Sequence, residues 1–130
     1  MKYIPTIIFV LFFGCTDDDL VKYQPDHEII GKWQLEATKI SPGGIVDWSE
    51  VKNGEIYEFN ADGTFLLSRW EDCKAPITGT FAIEEELLSI EISCSSTLYQ
   101  PSYKIRFEDS KLILGFIGCI EECSYRYRPI

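Results

Sequence analysis

The sequence YEFNADGTF, residues 57–65, predicts a β-hairpin. Tyr57 and Phe59 alternate with polar neighbours, which is the period of two expected for a strand with one buried face. Asp62 and Gly63 follow, and this pair favours a tight reversal because Gly accepts the positive φ that such turns require. A second alternating series begins beyond the turn. The stretch therefore predicts two antiparallel strands joined by a short connection.

The same period of two recurs along most of the remaining chain. Trp33 and Leu35 alternate with polar neighbours, and Leu88, Ile90 and Ile92 do so further along. No stretch keeps the apolar spacing of a helix for more than about two turns. We therefore predict an all-β domain with eight strands, at residues 32–40, 54–59, 64–70, 78–83, 87–93, 102–108, 111–117 and 123–129.

The connections between these strands alternate in length. Three are short, at residues 60–63, 84–86 and 108–110, and four are long, at residues 41–53, 71–77, 94–101 and 118–122. An up-and-down meander places all short turns at one end, whereas a Greek key needs long crossovers between strands that are not neighbours. Closing the sheet into a ring also removes its exposed edges. The predicted fold is an eight-stranded antiparallel up-and-down barrel.

The N-terminal residues have the pattern of a secretory signal. Lys2 supplies a positive charge, and an apolar run at residues 7–13 follows it. The run is too short to span a membrane, which needs about twenty apolar residues. The sequence LFFGC, residues 11–15, resembles a bacterial lipobox, in which the Cys is lipid-modified after cleavage. The alternative is an ordinary signal peptide cut near Gly14, with Cys15 left as a thiol.

An acidic segment follows Cys15. Residues 16–19 read TDDD and resemble the surface-export tag of some Gram-negative lipoproteins, the alternative being a solvated spacer. We therefore predict a lipoprotein signal peptide at residues 1–14, a lipidated Cys15 with an acidic tether at 15–28, and a barrel domain at 29–130. The expected location is the outer membrane, exposed at the cell surface and held to the membrane through Cys15.

Two motifs in the barrel region resemble the lipocalins. Gly31-Lys32-Trp33 is similar to the G-x-W at the start of the lipocalin barrel, and residues 57–65 resemble the D-G-T-F hairpin of bacterial lipocalin-like lipoproteins. The resemblance covers about residues 29–130. It implies a lipocalin-like barrel in which Gly31 and Trp33 close the narrow end. It also implies that Arg128, or less favourably Arg126, stacks on Trp33 by a cation–π contact. The alternative reading of Trp33 is a plain core aromatic.

Four cysteines remain besides Cys15, an even number in an exported chain, which favours two disulfides. Three pairings are possible. The predicted strands place all four at the long-loop end, and the favoured pairs are Cys73–Cys94, across a hairpin, and Cys119–Cys123, across a short turn. A zinc site of four thiolates is disfavoured because the spacings contain no C-x-x-C.

Composition narrows the possible functions. The chain of 130 residues carries 12 basic and 21 acidic side chains, a net charge of −9, which argues against nucleic-acid binding. His27 is the single His and lies in the predicted tether, and no G-x-S-x-G motif is present. We expect neither an enzyme nor a bound metal or cofactor.

Two functions remain open. In the first, the barrel mouth, bordered by Trp48, Trp70 and Tyr99, binds a small apolar or amphipathic ligand. In the second, a packed barrel serves as a surface interaction or structural protein that contacts partners through its loops. The predicted inward side chains are mostly large, which favours a packed or shallow interior, whereas a cavity above about 300 Å³ favours a ligand carrier. The sequence does not identify a ligand or an oligomeric state.

Overall fold

The computed structural model describes residues 28–71, 73–94 and 96–130. The predicted signal peptide, Cys15, His27 and nearly all of the predicted tether lie outside these residues. The strands are β1 (Gly31–Ile40), β2 (Ser49–Glu50), β3 (Ile56–Phe59), β4 (Thr64–Leu67), β5 (Ile77–Glu84), β6 (Leu87–Cys94), β7 (Thr97–Tyr99), β8 (Ser102–Glu108), β9 (Lys111–Phe116) and β10 (Cys123–Pro129). Within the described ranges, no helix has the length and apolar composition needed to cross a membrane.

Eight of these strands form a closed antiparallel ring. The order around the ring is β1, β3, β4, β5, β6, β8, β9 and β10, and β10 pairs back with β1. The predicted eight-stranded up-and-down barrel is therefore confirmed. The short strands β2 and β7 are additions that the sequence did not predict. They lie within predicted long loops, and they pair with the last residues of β1 and β6.

The two ends of the barrel differ in their connections. The end that we call the turn end carries the short reversals at residues 60–63, 85–86 and 109–110. The opposite end, which we call the mouth, carries the long connections at residues 41–55, 68–76, 95–101 and 117–122. Positive φ angles at Gly63 (86°), Glu85 (58°) and Asp109 (49°) allow the chain to reverse tightly at the turn end.

The turn after β3 follows the predicted hairpin closely. The Asn60 N–H donates to the Thr64 carbonyl over 2.9 Å, which closes the turn. The Asp62 carboxylate accepts hydrogen bonds from the backbone N–H of Thr64, at 2.9 Å, and from its hydroxyl. These bonds favour the charged carboxylate, so they lower the pKa of Asp62. The hairpin prediction is therefore confirmed down to its turn chemistry.

Aromatic packing fills the barrel near the turn end. Phe59 and Phe65 are buried, and the ring of Phe59 lies 5.0 Å from that of Phe81 in an edge-on contact. The ring of Phe65 passes over Gly79, where an added Cβ would come within 2.7 Å of it. Gly79 is therefore required by close packing, and aromatic rings fill the interior around it.

Trp33 is a core residue at the turn end. Its side chain is 7% exposed, its ring lies 6.1 Å from that of Phe107, and its indole N–H donates to the Ile29 carbonyl over 2.8 Å. Arg128 does not stack on it, so that prediction is wrong. Gln34 and Trp33 point to opposite faces of β1. Arg128 donates to the Gln34 Oε1 over 2.7 Å and therefore lies on the outer face.

Candidate functional site

A cavity of about 690 Å³ opens at the mouth of the barrel. Its volume exceeds the roughly 300 Å³ that favours a ligand carrier, and the cavity is open to solvent, so this half of the barrel is not fully packed. Strands β8 and β10 form one wall, and the connections after β4, β7 and β9 form the rim. Six aromatic side chains line it: Trp70, Tyr99, Tyr103, Phe116, Tyr125 and Tyr127.

The alternation of the last strand aims two tyrosines into the cavity. Tyr125 and Tyr127 face inward on β10, and the arginines between and after them face outward. Tyr103 reaches the same space from β8, with its ring 5.7 Å from Phe116 and 6.4 Å from Tyr125. Burial away from water raises the pKa of all three tyrosines, so their hydroxyls stay protonated and can act as hydrogen-bond donors.

Glu55 places a carboxyl group in the cavity wall, immediately before β3. Its backbone carbonyl accepts the Leu35 N–H over 2.9 Å, which ties the residue to β1. Its Oε1 accepts a hydrogen bond from the Tyr127 hydroxyl over 3.2 Å. Desolvation raises the pKa of Glu55, although the bond from Tyr127 and the positive charge of Arg69 act in the opposite direction.

Trp70 forms the rim opposite the tyrosines. Its ring meets Tyr99 edge-on, with 6.0 Å between ring centroids. Its indole N–H is buried and has no hydrogen-bond partner within the described part of the chain. Buried donors are almost always paired in folded proteins. The Trp70 indole N–H is therefore an unsatisfied donor inside the rim, and it is the ring of Trp70 that lines the cavity.

Two disulfides stand at the mouth, with the pairing that the sequence favoured. Cys73–Cys94 joins the connection after β4 to the end of β6, with 5.8 Å between the Cα atoms. Cys119–Cys123 closes the turn that leads into β10, with 5.9 Å between the Cα atoms. Cys73 is also held by its N–H, which donates to the Trp70 carbonyl over 2.9 Å. The first disulfide therefore supports the loop that carries Trp70.

Trp48 does not line the cavity, so its prediction as a mouth residue is wrong. Its ring lies on the outer face, with the Arg126 Cζ 4.7 Å and the Lys39 Nζ 5.6 Å from the ring centroid. A bulge in β1 between Leu35 and Ala37 gives the physical reason. The bulge leaves Glu36 and Arg126 on one face, 3.4 Å apart, where the chain returning from β1 lays Trp48 over them.

Of the three predicted contact residues, Trp70 and Tyr99 line the cavity and Trp48 does not. Sequence reasoning missed Glu55, although a signal was present. Glu55 stands two residues before Tyr57, so it falls in phase with the inward residues of that strand. A charged residue in an otherwise apolar inward series is a candidate site residue.

No site for a metal ion is visible in the described ranges, where no group of three or more His, Cys, Asp or Glu side chains could hold one.

Comparison with known proteins gives the fold and little more. No family model matches this sequence, and no curated protein matches it. An uncharacterized protein from Bacteroides eggerthii has a similar structure, with a TM-score of 0.54 and 18% identity over 78% of this chain and 98% of that one. A mutant of the fluorescent protein UnaG matches with a TM-score of 0.39 and 10% identity over 80% and 97%. The first likeness shows a shared fold, and the second is too distant to support an argument.

Proposed function

We propose that this protein binds a small apolar or amphipathic ligand in the cavity at its mouth. The cavity itself carries the proposal. Its volume of about 690 Å³ lies within the range of about 300–1,000 Å³ typical of small-molecule sites. Its wall combines aromatic side chains with a few polar groups, among them the tyrosine hydroxyls and the partly desolvated carboxyl group of Glu55.

The walls are held in place before any ligand arrives. Tyr103, Tyr125 and Tyr127 stand on paired strands of a closed barrel, and Cys73–Cys94 supports the rim at Trp70. A preformed site loses less conformational entropy on binding than a mobile one. This rigidity supports a binding function.

We further propose that the protein is a lipid-anchored member of the bacterial lipocalin-like lipoproteins. The lipobox-like residues 11–15, the G-x-W at residues 31–33 and the hairpin at residues 57–65 support this proposal. Disulfides are typical of exported proteins. The acidic residues 17–19 favour the cell surface over the inner leaflet.

A fluorescent apolar probe, N-phenyl-1-naphthylamine, tests the binding function. We expect saturable binding by the purified protein, and the Trp70→Ala variant should weaken it by about tenfold because one aromatic wall is lost. Trp48→Ala is the matched control, since this ring lies on the outer face, and it should leave the affinity unchanged. Absence of saturable binding, or an equal loss in both variants, contradicts the proposal.

The anchor has its own test. In host cells supplied with a radiolabelled fatty acid, Cys15→Ser should abolish labelling of the protein, because the thiol that carries the acyl chains is removed. Thr16→Ser is the control and should remain labelled. Labelling of the Cys15→Ser variant, or no labelling of the unmodified protein, contradicts the proposed lipidation.

A second candidate function is contact with a protein partner through the loops. Exposed apolar side chains surround the mouth, and the most exposed are Ile45, Leu98, Ile117 and Ile120. Such groups commonly mark interaction surfaces. Native mass spectrometry of protein purified from its host separates the candidates, since the binding function predicts a co-purifying small molecule and the partner function does not.

A further inference from the structure

The charged side chains that line the cavity are all acidic. Glu55 and Glu71 are its ionisable carboxylates, and no lysine, arginine or histidine stands among the described residues that line it. A cavity with acidic groups and no basic ones has a negative potential, which low-dielectric walls concentrate. The net charge of −9 adds to this potential. The cavity is therefore suited to a cation.

The carboxylate of Glu55 has no cationic partner in contact with it. It accepts the Tyr127 hydroxyl, a neutral donor, over 3.2 Å. Arg69, the basic residue that influences it electrostatically, has its guanidinium turned to the Asn53 carbonyl, 3.1 Å away. An unpaired carboxylate that is withdrawn from water is costly. This desolvation also raises the pKa of Glu55, in agreement with a missing positive charge.

Glu36 on the outer face serves as a comparison for Glu55, because its carboxylate is paired with cations. The Lys111 Nζ lies 2.7 Å from its Oε1, and the Arg126 Nε lies 3.4 Å from the same atom. Glu36 has two cations within 3.4 Å, whereas Glu55 has none in contact. The contrast indicates that the partner of Glu55 comes from outside the described residues.

The aromatic side chains of the cavity wall also favour a cation, in addition to the Glu55 carboxylate. Tyr103, Tyr125 and Tyr127 surround the position of Glu55, and Trp70 and Tyr99 stand at the rim. Aromatic faces attract positively charged groups, and the attraction is stronger where water is excluded. Rings around a carboxylate accommodate a charged nitrogen together with the hydrocarbon attached to it.

We propose that the ligand of this cavity is an amphipathic amine, with its ammonium group at Glu55 and its apolar body between the tyrosines and the Trp70 rim. The inference rests on the proposed ligand-binding function and deepens it by naming the head group. A carboxylate ligand would add negative charge beside Glu55, and an alcohol would leave that charge unpaired.

Three probes of equal chain length test the head group: octylammonium, octanol and octanoate. Isothermal titration of the purified protein at neutral pH should show octylammonium binding at least tenfold more tightly than octanol, and octanoate more weakly than either. Glu55→Gln should reduce octylammonium to the affinity of octanol. Glu91→Gln removes the same charge from an exposed position on β6 and should leave the preference unchanged.

Each other result has a defined meaning. If octanol or octanoate binds as tightly as octylammonium, the inference about the amine is overturned. Binding of N-phenyl-1-naphthylamine without binding of octylammonium also overturns it. In both cases the proposed ligand-binding function is still supported. Failure of every probe overturns both proposals. A preference for octylammonium that survives Glu55→Gln overturns the role of Glu55. The comparison of probes on the unmodified protein does not depend on how well the variant folds.

Discussion

The two ends of the barrel differ in the balance of their aromatic residues. Phenylalanines predominate at the turn end, where Phe59 and Phe65 are buried, although the buried Tyr57 stacks on Phe59. Tyrosines predominate towards the mouth, where Tyr103 borders the cavity beside Phe116. The rings are of similar size, so the difference lies in the hydroxyl group. An open cavity gives such a hydroxyl access to water or to a ligand as a hydrogen-bond partner.

The connections between strands also differ between the two ends. At the turn end, tight reversals hold the strands together, and the interior is closed by packing. At the mouth, long connections leave the strand ends apart, and Cys73–Cys94 and Cys119–Cys123 restrain them. One meander therefore produces a packed half that stabilises the fold and an open half available for function.

The largest expected effect tests whether packing at the turn end makes the larger contribution to the free energy of unfolding. Trp33→Ala should lower the free energy of unfolding by about 3–5 kcal/mol, because it empties a buried site against Phe107 and removes the bond to the Ile29 carbonyl. Trp48→Ala should cost less than about 1 kcal/mol, since that ring makes cation–π contacts on the outer face. Chemical denaturation measures both. Equal losses would contradict the comparison.

Removal of the disulfides tests the mouth. Replacing Cys73 and Cys94 by Ser should cost about 3 kcal/mol and replacing Cys119 and Cys123 about 2 kcal/mol, because the unfolded chain regains more freedom from the longer loop. The sequence separations are 21 and 4 residues.

Hydrogen exchange locates the effect of losing the first disulfide. Without Cys73–Cys94, the amides of β7 should lose protection before those of the hairpin at residues 56–67. Early loss of protection in the hairpin would show that the two ends are not independent.

The fold could be predicted because its signals are local. Strand periodicity and the Asp62-Gly63 turn act over a few residues, and the eight predicted strands match those of the ring within about three residues at each end. The alternation of short and long connections then determined the topology. The disulfide pairing followed from that topology, since it places Cys73 and Cys94 at the same end of the barrel.

The side-chain predictions that were wrong depend on the shape of the barrel. The bulge after Leu35 and the return of the chain across β1 place Trp48 outside, and no periodicity shows this. The resemblance to the lipocalins predicted that Arg128 stacks on Trp33. Arg128 instead lies opposite Gln34 on the outer face of the barrel, so it cannot reach the Trp33 ring. Glu55 was missed because its burial is produced by strands distant in sequence, Tyr127 being 72 residues away.

The smallest expected effect compares the two carboxylates, Glu36 outside and Glu55 inside. Hydrogen bonding to Lys111 lowers the pKa of Glu36, so its stabilisation is present at neutral pH and is lost as the pH falls through the lowered value. Glu36→Gln should therefore cost about 0.5 kcal/mol at neutral pH and nothing at low pH.

Glu55 should behave in the opposite way. Because its pKa is raised in the folded protein, ionisation of this carboxyl lowers stability as the pH rises from the ordinary value of 4.5 through the raised one. Glu55→Gln removes the ionisation, so this variant should be more stable than the unmodified protein at neutral pH and equally stable at low pH. Denaturation at several pH values measures both variants. If Glu55→Gln is less stable than the unmodified protein at neutral pH, the Glu55 carboxylate is not an unpaired charge. The same conclusion follows if both variants lose stability relative to the unmodified protein as the pH rises.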